Sequence, residues 1–254
     1  MPDNITRVAV VTGASRGIGK AIATRLALDG RHVVLVSRGE AALLDVKHQI
    51  ESLAKERARS ALVSIAPADV SDSKAFAGCI ESIASTHGRL DILVNNAGIT
   101  KDTLSLRMSD EDWAGVIQTN LTSAFVAIRA ASRAMMKNRF GRIINIGSTS
   151  GIVGNSGQAN YAAAKAGLAG LSKTIARELG GKGVTCNVVA PGFIETDMTK
   201  DLPAEVREHV LGLVAVKRLG TPEDIAAAVA YVSSDEAGFL TGQVICVDGG
   251  MTMC

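Results

Sequence analysis

Tyr161 and Lys165 are the two residues of this sequence best placed to move a proton together. They stand four positions apart in Asn160-Tyr-Ala-Ala-Ala-Lys165, an Ala-rich stretch that reads as helix. That spacing puts both side chains on one helical face, with Cβ atoms about 5–6 Å apart. A free tyrosine titrates near ~10, too high for an efficient proton donor at neutral pH. An ammonium within roughly 4–6 Å favours the phenolate and lowers that value by about 1–3 units, which is how a tyrosine is tuned as a general acid. Ser148 lies upstream, just past the apolar run Arg142-Ile-Ile-Asn-Ile146. Such a run reads as a buried strand, and Ser148 then sits at a carboxyl end, where open α/β sheets place their ligands. A lone Tyr-x-x-x-Lys is common on protein surfaces, so the elements around it must carry the argument.

The first of these is the start of the chain. Arg7-Val-Ala-Val-Val-Thr12 reads as a strand, followed by Gly13-Ala-Ser-Arg-Gly17-Ile-Gly19 and a helical pattern through Ala21, Ile22, Leu26 and Leu28. A strand, a Gly-rich turn and a helix make a phosphate cradle: the glycines allow close backbone approach, and the helix N-terminus offers N–H groups and a positive dipole end. The spacing is G-x-x-x-G-x-G rather than the G-x-G-x-x-G of the usual dinucleotide fingerprint. The second strand, His32 to Ser37, ends where an NAD site usually carries a carboxylate for the ribose hydroxyls. Ser37 and Arg38 stand there instead. A carboxylate repels a 2′-phosphate, whereas a guanidinium attracts it and can bind it bidentately. Arg16 in the glycine turn adds a second positive charge. The cofactor read from these residues is NADP(H).

A charged helix over 40–58 looks solvent-facing. A third strand over 61–66 leads to Pro67-Ala-Asp-Val70, where Asp69 suits a hydrogen bond from an adenine amino group, a turn, or an N-cap. A fourth over 90–94 runs into Asn95-Asn96-Ala97-Gly98, amides and small residues suited to packing beside a bound ring. Ser109-Asp-Glu-Asp112 opens a helix with acids at the positive end of the dipole. That helix is expected to run past Asn120 to about Met136. Asparagine inside a helix is locally unfavourable, and a bend with a bound water is predicted there. A sixth strand over 183–189 leads to Pro191-Gly192-Phe-Ile194-Glu-Thr196, and the polar segment near 195–216 is placed as a lid over the site. Thr221-Pro222 caps and starts another helix, and 243–247 is a seventh strand. Strands alternating with helices predict one α/β domain with a seven-stranded, parallel, doubly wound sheet. The Tyr161/Lys165 segment then shares the carboxyl edge of the sheet with the glycine turn.

Composition narrows the classes further. With 47% hydrophobic residues and 20% charged, the chain has ample material for a core and no signature of disorder. A net charge of +2 argues against a general nucleic-acid or membrane footprint. Apolar runs such as 225–232 are too short to span a bilayer. The N-terminus enters a strand without a basic region and apolar stretch ahead of it, so a cytoplasmic protein is expected. Cys79, Cys186, Cys246 and Cys254 form no C-x-x-C pair and read as small hydrophobes of a reducing compartment. His32, His48, His87 and His209 hold no metal-ligand spacing, and no metal is expected.

Taken together, Thr12-Gly-Ala-Ser-Arg-Gly-Ile-Gly19, Asn95-Asn-Ala-Gly98, Asn120, Ser148, Tyr161-Ala-Ala-Ala-Lys165 and Pro191-Gly192 resemble the classical short-chain dehydrogenases/reductases, in order and over the whole chain. Within that family the chain looks most similar to the β-ketoacyl-acyl-carrier-protein reductases, through Asn95–Thr100, Gly157–Gly167 and Ala190–Thr199. The resemblance implies a Rossmann-type sheet and NADPH-dependent reduction of a 3-oxoacyl thioester. It implies that Tyr161 donates the proton, that Lys165 holds the nicotinamide ribose and lowers the Tyr161 pKa, that Ser148 binds the carbonyl and that Asn120 anchors a water. Gly13, Ser15, Arg16, Gly17, Ile18 and Gly19 would line the phosphates, with Ser37 and Arg38 beside them. Asp69 and Val70 would touch adenine and Asn96, with Ala97 and Gly98, the ribose side. Pro191, Gly192, Ile194 and Thr196 would meet the nicotinamide end. It also implies an acyl carrier protein docking near the mouth at Arg139 and Lys182, the lysine replacing an expected arginine. A homotetramer built on the helices at about 110–136 and 160–178 and the C-terminal segment follows as well. The charged stretch Glu51–Ser60 departs from the pattern and reads as a surface extension.

Overall fold

The structure is a computed structural model that describes residues 6–196 and 204–253. Strand β1 (Val8–Thr12) is followed by helix α1 (Gly17–Leu28), β2 (His32–Ser37), α2 (Glu40–Glu56), β3 (Leu62–Pro67) and α3 (Ser73–Thr86). Then come β4 (Ile92–Asn95), α4 (Asp110–Ile117), α5 (Ser123–Asn138), β5 (Gly141–Ile146), the short α6 (Ser150–Val153), α7 (Ala159–Leu179) and β6 (Val184–Pro191). The chain closes with α8 (Ala204–Leu213), α9 (Pro222–Val232) and β7 (Val244–Val247).

Among the described residues the strands form one parallel sheet of seven, in the order β3-β2-β1-β4-β5-β6-β7. Strand order reverses between β1 and β4. That switch point opens a crevice at the carboxyl edge, between the first βα turn and the end of β4. The seven-stranded α/β expectation therefore holds, with strand ends shifted by one or two residues.

Alternation along each strand sorts the core into two layers. On one face Ala9 and Val11 of β1, Ile92 and Val94 of β4, and Ile144 and Ile146 of β5 pack with α1, α2 and α9. On the other face Val8, Val10, Leu93 and Ile143 pack with Phe76, Ile80, Val126, Ile128 and Met135 of α3 and α5. Burying each such aliphatic side chain contributes about 1.5–3 kcal/mol relative to exposure. A polar residue inside either layer therefore needs a partner.

Two sequence expectations need correcting. Helix α2 is not merely solvent-facing: Leu43, Val46, Ile50 and Ala54 are buried along one stripe, at the i, i+3, i+7 and i+11 spacing of an amphipathic helix. Most of the charged stretch at 51–60 continues that helix. It ends in a turn where Ala58 takes φ +53° and Arg59 donates to the Leu28 carbonyl at 3.0 Å. The expected single helix from 110 to 136 is also two helices joined by a π-helical turn, Gln118–Thr122, which contains Asn120. A π turn adds one residue to the helical register, and such turns gather at functional sites.

Candidate active site

Thr12 organises the glycine turn. Its hydroxyl accepts from Asn96 N at 2.9 Å and Ala97 N at 3.0 Å, and donates to the Val94 carbonyl at 3.3 Å. Asn96 returns the contact, its Nδ2 donating to the carbonyls of Thr12 at 2.9 Å and Gly13 at 3.3 Å. The ends of β1 and β4 are thus stitched into one wall of the crevice. The Nδ2 of Asn96 is spent bracing the turn. A Cβ on Gly19 would fall onto the Gly13 carbonyl oxygen, and one on Gly13 would meet Asn96 Nδ2 at 2.9 Å. Only glycine closes this turn at that distance, and Gly13 also takes φ +64°.

Helix α1 starts from Arg16 in an extended conformation, without a side-chain cap and without an acid in its first turn. Its leading N–H groups lack an intrahelical acceptor. Ser15 is half-buried, Arg16 is exposed and Ile18 packs on the core. Thr196 lies over the turn, its Cγ2 3.8 Å from where a Gly17 Cβ would stand. At the end of β2 the Ser37 hydroxyl is buried and has no protein partner, and the exposed Arg38 follows. Asp69 forms a turn, accepting from Ser71 N at 2.9 Å and Ser71 Oγ at 2.7 Å. Those bonds, with the charge of Arg38 nearby, hold its carboxyl below the ordinary value. The N-cap of α3 is Asp72, and Val70 is buried.

Across the crevice the π turn presents Asn120, which is buried and paired twice with Ile99. Its Oδ1 accepts from Ile99 N at 2.9 Å, and its Nδ2 donates to the Ile99 carbonyl at 2.9 Å. Gly98 sits between two of the candidates. A Cβ there would stand 3.3 Å from Asn120 Oδ1 and 3.6 Å from Lys165 Nζ. Lys165 is buried, donates to the Ile146 carbonyl at 2.7 Å, and holds its Nζ 5.5 Å from the Tyr161 ring centroid. Burial lowers its pKa to about 8. Ser148 stands close enough to the Tyr161 hydroxyl to favour the phenolate. Residues from β4, the π turn, the end of β5 and α7 therefore converge on one spot.

The protonation of Tyr161 runs against the sequence expectation. Burial raises its pKa and outweighs the lowering by Ser148, while Asp102 raises it further. Lys165 is itself desolvated and turned to the Ile146 carbonyl. Desolvation therefore weakens the hold of Lys165 on its own proton, and the Tyr161 shift is set by burial, Ser148 and Asp102.

At the nicotinamide end, Pro191 closes β6 and accepts from Thr149 N at 3.0 Å, and Gly192 N donates to the Val247 carbonyl at 3.1 Å. Ile194 sends its side chain into the core, so a ligand contact there falls to its backbone. The lid expected near 195–216 lies partly outside the described residues. Its described part contains α8, with Val210 and Val214 packed against Leu219, Phe193 and Met251. A groove of about 780 Å³ between α1, α2 and α9 is lined by Lys20, Gln49 and Arg57 among others. It lies on the outer helical layer and contains none of the proton-transfer candidates.

Known proteins resemble this sequence along nearly its whole length. A family profile described as enoyl-(acyl carrier protein) reductase matches residues 13–252. The chain belongs to the short-chain dehydrogenases/reductases. Among curated members, a 3-oxoacyl-acyl-carrier-protein reductase of Escherichia coli K12 is 49% identical over 247 residues, covering 97% of this chain and 98% of that protein. One from Vibrio cholerae is 48% identical over 247 residues, covering 97% of this chain and 98% of that protein. One from Staphylococcus aureus is 46% identical over 250 residues, covering 98% and 99%.

In this short-chain dehydrogenase/reductase, Arg139 and Lys182 do not flank the mouth of their own site. Arg139 ends α5 and Lys182 precedes β6, with a Gly183 Cβ position falling against the Arg139 carbonyl. Both lie at the amino ends of β5 and β6. Ser148 follows the carboxyl end of β5, roughly 20 Å away at about 3.3 Å per residue. Sequence reasoning also missed a buried amide chain. Asn95 Nδ2 donates to Asn145 Oδ1 at 2.8 Å, and Asn145 Nδ2 donates to Ser172 Oγ at 2.8 Å. Part of the signal was present: Asn145 interrupts an apolar strand run and Asn95 ends one, and the two are partners in register.

Proposed function

We propose that this chain is an NADPH-dependent reductase of 3-oxoacyl thioesters carried on acyl carrier protein. The observation that carries it is the convergence of Ser148, Tyr161 and Lys165, with the Lys165 amine beside Gly98, on the crevice whose other wall is the glycine turn. Near-half identity to 3-oxoacyl-acyl-carrier-protein reductases over the full length supports the substrate class. The residues present fit the cofactor. An uncapped helix start and a close glycine turn suit a pyrophosphate, and an orphaned Ser37 hydroxyl with Arg38, in place of a carboxylate, suits a 2′-phosphate.

When bound, the nicotinamide supplies the hydride. Ser148 and Tyr161 place two hydroxyl groups where the substrate carbonyl oxygen gains negative charge. Tyr161 gives its proton to that oxygen, and its raised pKa keeps the proton available at neutral pH. Lys165, with a pKa of about 8, is the nearest buried cation to the resulting phenolate. In this reading it also holds the ribose, and the π turn at Asn120 anchors the water that returns the proton. Asp69 and Val70 meet adenine, Ala97 the ribose side, and Ile194 and Thr196 the carboxamide, with residues 195–216 as lid.

The same reading gives a cytoplasmic homotetramer. Among the described residues no helix is long and apolar enough to cross a membrane. Trp113 and Phe125 are exposed on α4 and α5, with Arg129 5.1 Å over the Phe125 ring. Carrier docking at Arg139 and Lys182 then serves the site of a neighbouring subunit.

A second reading comes from the description of the matching family, reduction of an enoyl thioester. One assay separates the two. Purified protein is given NADPH with acetoacetyl-carrier protein, acetoacetyl-CoA, a 2-enoyl thioester and simple ketones in parallel. Rapid consumption with acetoacetyl thioesters and none with the enoyl thioester is expected, and the reverse pattern overturns the proposal. Tyr161→Phe deletes one hydroxyl and little volume. It is expected to lower kcat by about 10²–10⁴ with NADPH binding retained, measured by turnover and by fluorescence titration.

A further inference from the structure

Gln158 is the N-cap of helix α7, a position that Ser, Thr, Asp or Asn usually fill to cap the first N–H groups. Gln158 makes no cap. Its amide is spent on three other residues. Oε1 accepts from Ser150 Oγ at 3.1 Å and from Asn155 Nδ2 at 3.0 Å, and Nε2 donates to Asp102 Oδ2 at 2.8 Å. Ser150 in turn donates its backbone N–H to Ser148 Oγ at 3.1 Å. A second stitch runs alongside, Thr103 N to the Gly157 carbonyl at 2.8 Å. The amide thus links the loop after β4, the segment after β5 that carries Ser148, and the start of α7, the helix that carries Tyr161.

From this geometry we infer that Gln158 is a positioning residue, whose amide fixes the Ser148 hydroxyl and the Asp102 carboxylate relative to Tyr161 and thereby sets the acidity of the proton donor. The inference rests on Tyr161 being that donor. With Ser150 N donating to Ser148 Oγ, one lone pair of that hydroxyl is occupied and its proton is left to donate. Asp102 is held by Gln158 on the loop beside Tyr161, and a negative charge there disfavours the phenolate. The other charged groups around Tyr161 are Lys165 on its own helix, and Lys101 and Asp112, which pair at 3.6 Å beyond Asn160. Asn160 ties that pair to the site: its Nδ2 donates to the Lys101 carbonyl at 3.1 Å and its Oδ1 accepts from Tyr161 N at 2.7 Å. A helix that gives up its own cap to build such a link breaks a local rule, and rule-breaking of this kind gathers at functional sites.

The chain has only two tyrosines, Tyr161 and Tyr231, so the inference is testable without any substrate. In a Tyr231→Phe background, the tyrosinate absorbance titrates Tyr161 alone. Asp102→Asn is expected to move that midpoint down by about half a unit to one unit, and added salt to move it the same way in the parent, because Asp102 is exposed. Gln158→Glu retains the acceptor for Ser150 but adds a charge, and is expected to move the midpoint up. In turnover, Gln158→Ala should lower kcat about tenfold with the KM for NADPH unchanged, and the high-pH limb should follow the titration. Gln158→Ala with Asp102→Asn should cost far less than the product of the single effects. An unmoved midpoint in both charge variants, or a kcat within twofold of the parent in Gln158→Ala, overturns the inference. If the parent reduces no thioester yet the midpoints shift as expected, the substrate reading fails and the positioning role stands.

Discussion

The start of α9 and the start of α1 treat the same physical problem in opposite ways. Both helices begin at the carboxyl edge of the sheet with N–H groups that lack intrahelical acceptors. At α9 the chain satisfies them itself. Thr221 Oγ1 accepts from Asp224 N at 3.3 Å, Asp224 Oδ2 accepts from Thr221 N at 2.8 Å, and Pro222 removes a donor. Arg218 then neutralises the acid through bonds of 2.6 and 3.0 Å. At α1 there is no cap, no acid and no proline, only Arg16, an exposed cation, and three glycines. The difference teaches how to separate scaffold from site: a complete helix start holds the fold, whereas one left open, electropositive and glycine-walled is built for an anion from outside.

The comparison breaks first at Gly19. Gly19→Ala drives a methyl onto the Gly13 carbonyl oxygen, so the turn must open. NADPH affinity is expected to fall about 10²-fold, the 1–3 kcal/mol scale of a forced overpacking. Gly78→Ala is the control, since nothing lies within 4 Å of that position in α3, and it should leave affinity unchanged. Equal NADPH titrations for the two variants would show that the open turn is not the phosphate site. Arg38→Asp comes next. Reversing the charge beside the orphaned Ser37 hydroxyl should cut the preference for NADPH over NADH by roughly 10- to 100-fold, the 1.5–3 kcal/mol of a charged hydrogen bond. An unchanged ratio of the two affinities would place the 2′-phosphate elsewhere.

The α1 end was legible in the sequence because its signal is local. A strand, a glycine turn and a helix follow one another within twenty residues, and Thr221-Pro222 is equally local. Tyr161 and Lys165 share a face through helical period alone. What escaped the sequence depends on pairs distant in the chain. Gln158 meets Asp102 across 56 positions and Asn95 meets Asn145 across 50, and no periodicity encodes either. The π turn escaped because adding one residue to a helical register is decided by tertiary packing, here the two hydrogen bonds between Asn120 and Ile99 and the close approach of Leu121 to Gly167. The sign of the Tyr161 shift escaped for the same reason. Spacing on a helix reports the distance to Lys165 but not the burial that outweighs it.

The α9 side predicts smaller effects, confined to stability. Thr221→Ala should destabilise the fold by about 1 kcal/mol with kcat unchanged, read from denaturant unfolding beside turnover. A loss of activity at full stability would make this end part of the site. The finest prediction concerns Asp224. The Arg218 bonds, then the Thr221 backbone bond, hold its pKa at about 2, below the ordinary 3.8. A carboxyl depressed on folding binds its proton more weakly in the native state than in the unfolded one. Its stabilisation is therefore complete above the unfolded value and drains away as pH falls from about 4 towards 2. Asp224→Asn should lower stability by a fraction of a kcal/mol at neutral pH, because the pair is solvent-screened. The gap between variant and parent should close across that acid window. Salt should narrow it at neutral pH. Unfolding curves that stay parallel from pH 7 to pH 2 would show that Asp224 contributes through its shape and neutral hydrogen bonds alone, and that the capped end of α9 owes nothing to charge.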